Sequence, residues 1–91
     1  MYIRQLKPRE YERLSRILEQ KAHAEPLDAS YKVDMNVNGK EYVLKVQPEN
    51  NKIVALQALG VFRDENGPNF DLITENCLLS SLLEIMIYQG V

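Results

Sequence analysis

The stretch from Asn76 to Val91, NCLLSSLLEIMIYQGV, decides how the rest of the chain must fold. Leu78, Leu79, Leu82, Leu83, Ile85, Met86 and Ile87 leave Glu84 as its only charge. The run is too long for a typical strand, and leucine and methionine dominate over β-branched residues, so it reads as an α-helix. Thr74 is the expected N-cap, with Glu75 in the first turn where the helix dipole favours negative charge. Gly90 stands where a residue of positive φ closes a helix. On a 3.6-residue period Cys77, Ser80, Ser81, Glu84 and Tyr88 form a narrow weakly polar strip, and the rest is apolar. A surface helix ordinarily carries an apolar stripe of about 100°. This one is wider. One sheet face covers about half of it, and either another element or another molecule must cover the remainder.

Working outward, a first helix should start at Pro8, since proline suits the first helical position. Leu6 and Tyr11 have the spacing of a hydrophobic staple. Tyr11, Leu14, Ile17, Leu18 and Ala22 then make an apolar stripe that Glu25-Pro26 ends. His23 falls in that helix's last turn. Asn38-Gly39, between the alternating runs Tyr31–Val37 and Glu41–Val46, is the signature of a type I′ hairpin. Residues 48–60 are open to either strand or helix; the short turn before them and the continuation through Gly60-Val61-Phe62 favour a third meander strand. RDENGPN, Arg63 to Asn69, reads as a loop by composition. Phe70 to Ile73 is a short strand or a lead into the last helix. The fold class is α+β. Residues 1–91 form one small domain of order α-β-β-β-(β)-α, an antiparallel meander packed by its N- and C-terminal helices.

Bulk properties narrow the function classes. A chain 45% hydrophobic and 26% charged is globular rather than disordered. The C-terminal run is too short and too interrupted for a membrane span, and MYIRQLKPRE lacks the apolar core of a signal peptide. A single cysteine provides no internal disulfide, and a cytoplasmic location is the expectation. The net charge of −2 is uneven: residues 1–23 carry +3 and residues 24–91 carry −5.

Catalytic signals are weak. His23 is the only histidine, too little for a triad or a zinc site. Cys77 sits at a helix start, where a thiol is readily ionised, but no motif surrounds it. Asp64, Glu65, Asn66 and Asp71 fail the calcium-loop pattern, because Gly67 falls at position 4 rather than 6. The dispersed glycines form no phosphate loop. These residues imply no enzyme, cofactor, metal or small-molecule substrate.

The α-β-β-β-α order resembles the double-stranded-RNA-binding fold in outline. Where that fold opens its second helix with a lysine cluster, this chain reads ITENCLL (residues 73–79), an acid and no base, so the resemblance assigns no family.

Two functional expectations follow. The first is a protein-interaction module of adaptor or inhibitor type, using Leu79, Leu82, Leu83, Met86 and Ile87 to bind a partner or a second copy. The second is a nucleic-acid-binding accessory protein using Arg9, Arg13 and Arg16, which share one side of the first helix. The acidic body, the interleaved Glu12 and Glu19, and the want of an aromatic stacking platform disfavour the second.

Overall fold

A computed structural model describes residues 1–90; Val91, the last residue of the closing stretch, lies outside them. The element order is β1 (Tyr2–Gln5), α1 (Pro8–Lys21), β2 (Ala22–Glu25), β3 (Ser30–Val37), β4 (Lys40–Glu49), β5 (Lys52–Asp64), β6 (Gly67–Ile73) and α2 (Asn76–Gln89). Every strand pairs antiparallel in one six-stranded sheet of order β1-β5-β4-β3-β2. β6 pairs with the distal half of β5, on the edge whose proximal half pairs with β1.

The β3–β4 hairpin closes at Val37 and Lys40 around Asn38 (φ 53°) and Gly39 (φ 83°), the positive-φ pair that a type I′ turn requires. β5 settles residues 52–60 as strand. It is the long central strand, and its apolar character on both sides follows from its neighbours. Ile53, Ala55 and Ala58 face the helices, whereas Val54 and Leu59 face the other way. A register shift opposite Lys45 and Val46 leaves Leu56 as an extra residue in β5, which is why Ala55 and Ala58, three apart, both reach the core.

Three segments depart from the sequence reading. Tyr2–Gln5 adds a strand where only a lead into α1 was expected; its partner, Lys52–Ala55, is distant in sequence. The first helix, whose stripe was expected to run to about residue 22, ends at Lys21, because Ala22 turns extended (φ −98°, ψ 151°) and residues 22–25 pair with Ser30–Val33 instead of leading to Pro26. His23 therefore lies on an edge strand, not in a helical turn. The loop assigned to residues 63–69 shrinks to the turn at Glu65-Asn66, where the Asn66 N–H donates to Asp64 Oδ1 at 2.8 Å. The α-β-β-β-(β)-α order is thus borne out with β6 as its optional strand, and widened by β1 and β2.

Both helices pack on the same sheet face. Leu14 of α1 and Leu79, Leu82, Leu83, Met86 and Ile87 of α2 share one core with Val33, Leu44, Val46, Ile53, Ala55 and Ala58. The α2 helix starts one residue later than expected, with Glu75 rather than Thr74 at the N-cap, and ends at Gly90 (φ 77°) as expected. No helix among the described residues is long and apolar enough to cross a membrane.

Candidate functional site

The five α2 residues expected to meet a partner are interior. Leu79, Leu82, Leu83, Met86 and Ile87 are each no more than 1% exposed. The unusual width of the apolar surface is used up inside the domain: the sheet takes one side, and α1 and β1 flank the other. A partner cannot reach these side chains without unfolding the chain, so any interaction surface must be sought elsewhere.

The polar strip of α2 has a structural task. Arg4, on the helix-facing side of β1, places its guanidinium against both Glu10 of α1 and Glu84 of α2. The Tyr88 hydroxyl donates to Glu10 Oε2 at 2.5 Å, and the Arg4 guanidinium carbon lies 5.4 Å from the Tyr88 ring centre. Glu10 is buried, and its other oxygen accepts the Lys7 backbone N–H at 3.0 Å, closing the start of α1. The hydrogen bond from Tyr88, then the Lys7 amide and the charge of Arg4, outweigh burial and hold the Glu10 carboxyl below its ordinary range. Burial works against the Arg4 charge, but its contacts with Glu84, Tyr88 and Glu10 prevail and raise its pKa. These four residues tie β1, α1 and α2 together with each buried charge satisfied.

On the opposite sheet face no helix packs among the described residues. Cross-strand register aligns two rows there: Asp34-Val43-Leu59-Leu72 and Asn36-Glu41-Val61-Phe70, across β3, β4, β5 and β6. The β3 end of each row is polar and the β5–β6 end is apolar. Phe70 and Leu72 are 59% and 62% exposed. On the helix-facing side beyond the start of α2, Tyr42, Phe62, Ile73 and Leu78 line a shallow cleft of about 380 Å³. The β5–β6 hairpin thus presents apolar side chains on both of its faces. Alternation in β6 was the available signal, but Pro68 and Asn69 disguised it as loop.

The arginines of α1 form a second surface. Arg9, Arg13 and Arg16 are exposed and none is in an ion pair among the described residues; the pairing with Glu12 and Glu19 that their spacing allowed does not form. Arg9 and Arg13 line a cleft of about 390 Å³ with Lys7, Pro8, Glu10 and Tyr88. Arg13 and Arg16 line the adjoining one, about 220 Å³, with Ile17, Ile87, Gln89 and Gly90. Tyr88, half exposed, stands beside them with Arg13 6.0 Å from its ring centre. It is the aromatic neighbour that the sequence pattern did not reveal.

The minor candidates carry little. His23 is an exposed residue 3.8 Å from Asp34 across the β2–β3 edge. Cys77 is exposed in the first turn of α2. Among the described residues no group of three histidine, cysteine or acidic side chains is placed to hold a metal. Comparison of the chain with protein-family models, curated proteins and solved structures gives no match.

Proposed function

We propose that this chain is a non-enzymatic protein-interaction module that docks through the β5–β6 end of its open sheet face, with a second copy of itself as the partner. The observation that carries the reading is the apolar end of the two rows on β5 and β6, a strand that pairs only with β5 among the described residues. An uncovered apolar patch bordering a free strand edge offers burial and backbone pairing together.

A second copy fits this edge by its own symmetry. Twofold antiparallel pairing of β6 about Phe70 sets Phe70 against Phe70, Leu72 against Pro68, and Asp71 against Asn69. The aromatic pair contributes packing, and the Asn69 amide can donate to the Asp71 carboxylate, so no like charges meet within the strand. The reading assigns no cofactor or small-molecule substrate. It places the protein in the cytoplasm, where the exposed Cys77 stays reduced.

The test is absolute mass by light scattering after size exclusion, over a hundredfold dilution. The expected result is a dimer that dissociates on dilution. A monomer at every concentration would overturn self-docking.

A further inference from the structure

We infer that the arginine-lined groove between α1 and the C-terminal end of α2 binds the phosphate backbone of a single-stranded nucleic acid. This site is separate from the β6 edge and does not depend on self-association.

Charge placement is the first support. Arg9, Arg13 and Arg16 line clefts with α2 residues, and on a helical period Glu12 and Glu19 fall about 40–80° round the helix from Arg9 and Arg16, on the side away from α2. Glu19 lines a different cleft, with Tyr11, Leu14, Ser15, Leu18, Tyr31 and Pro48. The acids that interleave in sequence flank the arginines without pairing with them among the described residues. Glu10 does line the groove, but Arg4, Tyr88 and the Lys7 amide already hold its charge. What remains is a strip of uncompensated guanidinium groups, rising about 6 Å along the axis from Arg9 to Arg13 and about 4.5 Å more to Arg16.

Shape and an aromatic ring select the ligand class. A duplex reader presents a protruding helix to a major groove about 12 Å wide. Here the arginines line a recess with α2 as its other wall, which suits a single strand. The half-exposed Tyr88 ring, with the Arg4 and Arg13 guanidinium carbons 5.4 and 6.0 Å from its centre, adds a planar aromatic surface at the wall of the recess that a base can meet in place of Arg13, without regard to sequence. Guanidinium groups are well matched to phosphate oxygens. The body's charge of −5 opposes a polyanion, which weakens binding overall and confines it to α1.

Fluorescence anisotropy of a labelled oligothymidine of roughly 16 nucleotides tests the site. Three phosphate contacts predict a log–log salt slope near −2, or roughly a hundredfold loss of affinity over a tenfold rise in salt. Arg13→Ala should weaken binding about tenfold, the loss of one charged hydrogen-bonded contact. Lys40→Ala, an equal change in net charge on the β3–β4 hairpin, should leave it within about twofold by the same measure. Circular dichroism melts confirm that both variants fold. Four results would each overturn the proposal: no binding at low salt, equal effects of the two variants, tighter binding of the matching duplex, or binding of phosphatidylserine vesicles in place of the oligonucleotide.

Discussion

Replacing Phe70 by serine separates surface from core in a single measurement. Its side chain is 59% exposed in the monomer, which amounts to about 100–150 Å² of a phenylalanine's area. Covering that area stabilises a complex by about 2.5–3.5 kcal/mol at ~25 cal/mol/Å². A twofold interface centred on this residue counts the loss twice. Even with half of the area covered, the dimer should lose about 3 kcal/mol, a rise in Kd of roughly a hundredfold or more. Analytical ultracentrifugation of Phe70→Ser beside the unaltered chain reads this directly. The monomer's own stability should fall by no more than about 1–2 kcal/mol in a urea titration, from the part of the ring that its neighbours already cover. An unchanged dimer constant would refute the β6 interface. A large loss of monomer stability would refute the exposure on which the calculation stands.

The buried side of α2 predicts the opposite behaviour: Leu83→Glu sets an unpaired charge at a fully covered position and should unfold the domain, at about 3–5 kcal/mol, seen as loss of the cooperative melt. A folded, monomeric Leu83→Glu chain would mean that α2 faces a partner after all. Tyr88→Phe removes the hydroxyl that donates to buried Glu10 and should lower stability by about 1–2 kcal/mol in denaturant titrations, with no change in the helical circular dichroism signal. Acid should destabilise the fold. The bond from Lys45, then that from the Ser30 hydroxyl, lower the Asp28 carboxyl from 3.8 to about 2, so its contribution is present above pH 3.8 and is lost as pH falls toward 2. Glu10 is depressed in the same direction, and urea midpoints measured down through that window should fall, less steeply in Asp28→Asn.

Much of the architecture is legible in local chemistry. Asn38-Gly39 specifies its turn because few other residues accept two successive positive φ values, and Pro8 and Gly90 bracket helices for equally local reasons. What escapes are elements that exist through distant partners. Tyr2–Gln5 has neither the length nor the pattern of a strand, and becomes one because β5 offers an open edge beside it. Ala22–Glu25 continues the helical pattern in composition, yet pre-proline geometry and the edge of β3 draw it extended. The site is less legible still. The apolar excess of Leu78–Ile87 is real, but a helix period cannot tell an outside partner from β1 and α1 arriving on its flanks. The arginine spacing was visible, whereas the absence of pairing with Glu12 and Glu19 among the described residues and the approach of Tyr88 belong to the folded structure.

The two edges of the sheet differ in a way that bears on self-docking. β2 is four residues long, and its polar side chains are occupied: Glu25 pairs with Lys32 at 3.2 Å, and His23 stands beside Asp34. Shortness and charge are the usual protection of an edge against unwanted pairing. β6 has neither protection along its centre; its seven residues carry Phe70 and Leu72 outward and put Asp71 on the helix-facing side. It does have Pro68 near its start, which removes one backbone donor and keeps an added strand from zipping toward the turn. An edge open about Phe70 and closed at Pro68 admits a partner in few registers. The other free edges, β1, β2 and the Asp34–Val37 end of β3, are each four residues long, so a chain that pairs through β6 is left with only short ones. The arrangement therefore favours a closed pair over an open-ended fibre, which would need both edges.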